Sequence, residues 1–143
     1  MQHFEWVPMT DFTLLDPKND LVFKKLFVPS PDLLSDLINA MRWDASPIEV
    51  VEILNPRIDP EDLTGKFIVL DVLAKDRQGH LFNIEMQVRP YHTWSIRSLY
   101  YLAKLLAQQL QSGEEYGRLQ PVIGIHLLNF ELFPAPEQAV WCF

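Results

Sequence analysis

Between Phe67 and Val88 the chain reads FIVLDVLAKDRQGHLFNIEMQV, two apolar runs around a polar stretch, Asp76-Arg77-Gln78-Gly79-His80. This pattern predicts a β-hairpin, with Gly79 supplying the positive φ that such loops use. The second run alternates with a period of two. Phe82, Ile84, Met86 and Val88 share one face, and Asn83, Glu85 and Gln87 share the other. The first run is apolar on both faces except at Asp71. Upstream, Asp16 as N-cap and Pro17 at the first helical position predict a helix that Val28-Pro29 stops. Asp20 lies in its first turn, with Lys24 and Lys25 within a turn of it. Ser30-Pro31-Asp32 starts a second helix, whose stripe is Leu33, Leu34, Leu37, Ile38 and Met41. Ile48–Leu54 reads as a short strand, and 57–65 as a polar loop. After the hairpin, Thr93 caps a helix predicted over Trp94–Gln111 and closed by Gly113. Its predicted buried stripe is Ile96, Leu99, Leu102, Ala103, Leu106 and Leu110. Arg97, Tyr101, Lys104 and Gln108 fall on the other side, with Tyr100 between. Pro121–Leu128 is a last strand. The order helix, helix, strand, strand, strand, helix, strand predicts a mixed α/β sheet covered by helices.

The hairpin's register decides what Asp71 means. An odd loop centred on Gln78 sets Asp76 against His80 and Asp71 against Glu85. Opposed residues share a face with Cβ atoms about 4.5–5.5 Å apart, where like charges destabilise unless a cation lies between them. A two-residue loop, Gln78-Gly79, would point Asp71 away from Glu85.

Composition narrows the class. At 143 residues, 48% hydrophobic and 12% aromatic, the chain has the make-up of one globular domain. No apolar run approaches the roughly 20 residues of a membrane span. The start, MQHFEWVPMTDF, lacks the basic and apolar regions of a signal peptide. The single cysteine, Cys142, excludes an internal disulfide and a cysteine-based zinc site. Cytoplasmic location and no membrane partner are the resulting expectations. A formal charge of −7 excludes a general basic coat for nucleic acid, though not a local basic patch.

The candidate chemistry sits at the hairpin. A hard divalent cation such as Mg²⁺ takes oxygen ligands. Asp71 and Glu85 offer two carboxylates, the Met86 carbonyl a third oxygen, and Gln87 an amide on the Glu85 face. Arg97 or Lys104 could offset charge on a phosphate. An Asp and a Glu fourteen positions apart make a weak pattern by themselves, and each residue has a plainer reading. Asn83 and Gln87 suit the wet face of a half-buried sheet. Arg97, Lys104 and Gln108 suit a wet helix face, and Asp20 suits the positive end of a helix dipole. His3, His80, His92 and His126 show no ligand spacing, and His126 reads as a core residue. No phosphate loop, serine nucleophile motif or zinc motif is present.

Three segments together, DPKNDLVFKKLF, LDVLAKDRQGHLFNIEMQ and RSLYYLAKLLAQQLQSGEEY, resemble the PD-(D/E)XK nuclease family transposases, also called recombination-promoting nucleases. The resemblance runs from about Leu15 to about Phe133. It implies a nuclease-like domain over 1–133 followed by an irregular tail, 134–143. It also implies a restriction-endonuclease-like core, α-β-β-β-α-β, and Mg²⁺-dependent hydrolysis of DNA phosphodiesters tied to recombination or transposition. By position, Asp71 and Glu85 would hold Mg²⁺, with Gln87 where the wider superfamily has a catalytic lysine. Asp20, Arg97 and Tyr101 would support them. Gln87 carries no charge and cannot titrate as a base, a variation common in the family resembled. Members usually continue well past Leu128, so the resemblance implies a copy shortened at its C-terminus. DNA is the implied partner, together with a second copy or a full-length relative. The rival reading is a non-catalytic remnant that acts only by pairing with such relatives.

Overall fold

A computed structural model describes residues 14–54, 72–90 and 92–132. Asp71, the predicted loop 57–65 and the tail 134–143 lie outside the described residues. Among the described residues the order is α1 (Asp20–Phe27), α2 (Pro31–Met41), β1 (Val50–Ile53), β2 (Val72–Asp76), β3 (Leu81–Gln87), α3 (Trp94–Ala107) and β4 (Val122–Leu128). They form one four-stranded sheet in the order β1-β2-β3-β4. The first three strands are an antiparallel meander, and β4 returns parallel to β3. This is the mixed α/β order predicted from the sequence, and it is consistent with a restriction-endonuclease-like fold.

The first helix starts later than its sequence suggests. Asp16-Pro17 forms a turn instead, with the Asp16 carboxylate accepting from the Lys18 N–H at 2.9 Å and its carbonyl from the Asn19 N–H at 3.0 Å. Asn19 is the N-cap, accepting from the Leu21 and Val22 N–H groups. Asp-Pro serves a turn as well as a helix start, because proline presets the same φ in both. The second helix begins at Pro31 as expected. Leu34 and Ile38 are fully buried and Leu37 and Met41 pack against the core, while Leu33 is exposed. The strand read from Ile48 begins only at Val50, since both backbone groups of Ile48 bond the Asn39 side-chain amide. Ser35 ties the same helix to β1 by accepting the Val50 N–H at 2.9 Å.

The hairpin closes with an odd loop. The Asp76 N–H donates to the His80 carbonyl, and Arg77, Gln78 and Gly79 form the three-residue turn between them. Gly79 has φ of 92°, the left-handed position such loops require. Pairing then runs Lys75↔Leu81, Ala74↔Phe82, Leu73↔Asn83 and Val72↔Ile84. Asp76 is 1% exposed, yet its carboxylate is satisfied within the turn. It accepts the Gln78 N–H at 3.0 Å and the His80 N–H at 2.8 Å, and lies 2.8 Å from the His80 Nδ1.

This register sorts the two sheet faces. Val72, Ala74, Phe82, Ile84 and Ile125 form one apolar face with Phe23, Leu34 and Ile38 of α1 and α2. The opposite face carries Asn83, Glu85, Gly124 and His126, and α3 covers it. Ser98 bonds His126, and the Leu102 side chain lies over Gly124. A Cβ on Gly124 would come within 3.0 Å of Leu102 Cδ1, so glycine sets how closely the helix approaches.

The predicted burial of α3 needs correction. Trp94 is buried and Leu102 and Leu105 half-buried, whereas Ile96 and Leu99 are 71% and 69% exposed and Ala103 and Leu106 are also exposed. The helix has two apolar faces, and polar and small groups choose between them. Ser98 meets His126, and the Gln109 amide bonds both backbone groups of Gln120. The helix ends at Ala107 with Gln108 as C-cap, short of Gln111. Thr93 occupies the N-cap position without a side-chain bond.

The Asp76 carboxylate fixes the loop, so its removal should destabilise the whole domain. Asp76→Ala is expected to lower the unfolding free energy by about 3 kcal/mol, since it strands buried donors. Asp76→Asn keeps one acceptor for the two backbone donors and should lose less. Urea denaturation of the two variants checks this; equal losses would show that the backbone bonds contribute little.

Candidate active site

Glu85 sits near the middle of the sheet, paired through the parallel ladder with His126. It is only 5% exposed. Alternation on β3 puts it on the face away from Phe82 and Ile84, as the sequence predicted, and the structure covers that face with α3. Buried carboxylates need partners, and the imidazole of His126 stands beside Glu85. His126 Nδ1 lies 3.3 Å from Glu85 Oε2. The Asp20 carboxyl, on α1, feels Glu85 electrostatically. Val72, the first described residue of β2, is paired with the neighbouring Ile84. Asp71 itself lies outside the described residues.

Asp20 is therefore more than the helix-start acid suggested by its position. Its pKa is raised above the ordinary aspartate value, first by burial and second by the charge of Glu85. Two acids within electrostatic reach of each other offer oxygens of the kind a hard cation takes. Among the described residues, no group of three His, Cys, Asp or Glu side chains gathers as a metal site.

The other predicted residues divide. Gln87 shares the Glu85 face, but its amide donates to the Arg89 carbonyl at 2.9 Å. The Arg97 guanidinium stacks over the Tyr101 ring, 5.4 Å from its centroid. The pair lies one helical turn apart, as their spacing allows. Lys104 is exposed on the same helix. Two residues gained no role from the sequence. Lys24 is 5% exposed, the one buried lysine among the described residues, and lies one turn after Asp20 on α1. Its i+4 spacing from Asp20 was the available signal. His126, read as a core residue, does have a bonded ring nitrogen. The ring nonetheless faces Glu85 and not the apolar core, because it stands on the α3 side of β4.

A family model described as PD-(D/E)XK nuclease family transposase matches residues 17–142. The chain belongs to the PD-(D/E)XK nuclease family transposases. No curated protein and no solved structure matches it. Membership supports a nuclease or transposition-related function, with DNA as the substrate class. PD-(D/E)XK nucleases generally use divalent metal ions, and the acidic donors around Glu85 fit that chemistry. Among the described residues, no helix of this family member is long and apolar enough to cross a membrane.

The raised pKa of Asp20 has a defined sign for stability. At neutral pH the ionised form is less favourable in the folded than in the unfolded chain, so Asp20 lowers stability there. Below its unfolded value of 3.8 this difference vanishes. In chelator-treated protein, Asp20→Asn is expected to raise the melting temperature at pH 7. The gain should shrink as pH falls through the carboxylate range. A gain independent of pH would mean that the Asp20 charge is not responsible.

Proposed function

We propose that the chain is a Mg²⁺-dependent DNA endonuclease associated with recombination or transposition, with Asp71 and Glu85 as the metal-holding carboxylates. The hairpin frame is the observation that carries this reading. The described β2–β3 pairs keep the odd-loop offset as far as Val72↔Ile84, and the same offset carried one position further in the sequence would set Asp71 against Glu85. In the other frame the two carboxylates would belong to opposite faces. A bound Mg²⁺ would supply Lewis-acid polarisation of the phosphoryl group and lower the pKa of a water.

The chain's own residues have separate tasks. Glu85 on β3, together with Asp71 just ahead of Val72 in the sequence, would offer oxygens to the ion. Asp20, whose pKa is raised by burial and then by Glu85, adds acidic charge from α1, and a cation held among these groups would offset the repulsive part. Gln87 cannot act as a base, so its part is to orient a water or a phosphate oxygen, which requires release from Arg89. Arg97, steadied over Tyr101, offers positive charge to the DNA backbone from α3.

Plasmid incubated with the protein and Mg²⁺ should be nicked or linearised, and chelation should stop the reaction. Asp71→Ala and Glu85→Ala should each slow cleavage by about 100-fold or more. Gln87→Ala should slow it less. An inactive parent protein would favour the non-catalytic remnant that acts by pairing with full-length relatives, and mutants as active as the parent would overturn Asp71 and Glu85 as the metal-holding pair.

A further inference from the structure

Glu85 has a neighbour that none of the motifs assigns. On the same face, one strand over, His126 stands opposite it in the parallel ladder. Its ring is held on three sides. Nε2 lies 2.8 Å from Ser98 Oγ on α3. The Trp94 ring meets it edge-on, with centroids 4.9 Å apart and planes at 82°. Gly124 leaves room beneath it, since a Cβ there would come within 2.9 Å of Nε2. The remaining nitrogen, Nδ1, points toward the carboxylate, 3.3 Å from Glu85 Oε2. That distance is long for a hydrogen bond, and Nδ1 is buried without a well-aligned partner. Catalytic hydrogen bonds are often loose in the free protein and tighten when the site is loaded.

We infer that His126 is a positioning residue, holding one oxygen of Glu85 through Nδ1–H so that the other faces a bound divalent cation. The inference rests on the nuclease reading above and extends it to residues outside the family motif. Its logic is chemical. A carboxylate beside Nδ1 is repelled by a bare nitrogen lone pair and attracted by an N–H. The Ser98 hydroxyl can donate to Nε2, which leaves the proton on Nδ1. A carboxylate with one oxygen so engaged is restricted in rotation, and groups that orient metal ligands in this way commonly contribute to metal affinity. Ser98 and Gly124 then act through His126: one sets its tautomer and the other gives its ring space.

Two measurements test this. The first is long-range ¹H–¹⁵N NMR of chelator-treated protein, which reads the tautomer with no metal and no turnover. Nδ1 should carry a proton, and a bare Nδ1 would overturn the inference whatever becomes of the nuclease reading. The second is calorimetric titration with Mn²⁺ of proteins whose circular dichroism matches the parent. His126→Leu should weaken binding by about 10- to 100-fold. His126→Asn, which retains a donor near the Nδ1 position, should restore most of the affinity. If His126→Leu does not fold, Ser98→Ala keeps the ring but frees Nε2 and should give a smaller loss. A parent that binds Mn²⁺ beside equally tight His126 variants would overturn the positioning role and leave the nuclease reading intact. A parent that binds no divalent cation would overturn both.

Discussion

The three-residue loop closed by Asp76 fixes the phase of the structure. Side chains alternate along a strand, so a slip of one residue would move every side chain of β3 to the wrong face. The buried carboxylate prevents that slip by gathering the Gln78 and His80 N–H groups and the His80 ring in one turn. Phe82 and Ile84 then face the core shared with α1 and α2, while Asn83 and Glu85 face α3. The parallel pairing of β4 transmits this phase, aligning Ile125 with Ile84 and His126 with Glu85. A local turn thus determines both which residues form the core and which groups can meet at the candidate site.

Much of this arrangement was legible because period-two alternation is visible in a sequence. The face carrying Glu85 follows from it, the other strands and their order follow from apolar runs set between turn residues, and the odd loop needed only to be chosen from two alternatives. What was not legible depends on partners distant in sequence. Ile48 looks like a strand residue until the Asn39 amide takes its backbone groups. Asp16-Pro17 fits a turn and a helix start equally well, and only Asn19 forms the cap bonds.

The third helix is a harder case. Apolar residues surround much of its circumference, so periodicity alone does not identify its buried face. The outcome depends on a few specific matches: Ser98 with His126, Leu102 with the gap above Gly124, and Gln109 with the backbone of Gln120. These leave Ile96 and Leu99 in water. The same choice makes His126 part of the candidate site. Its apolar neighbours in sequence suggested a core residue, but its position on β4 turns it toward Glu85.

The arrangement around Glu85 is poor as pure structural engineering. A carboxylate is buried within electrostatic reach of a second acid, Asp20, whose pKa is raised by its own burial and then by the charge of Glu85. An apolar pair of similar size would satisfy the fold with less penalty. Gln87 brings no positive charge, and its amide is engaged with Arg89. The buried lysine of α1 follows Asp20 by one turn, which puts a cation on the same element as one of the acids. Asp76, the other buried acid among the described residues, is satisfied closely, with bonds to two backbone donors and a close imidazole nitrogen. Asp76, satisfied by its own turn, is a carboxylate that serves the fold, whereas Glu85 faces a loosely placed imidazole and a second acid, the kind of setting on which the proposed metal-holding role rests.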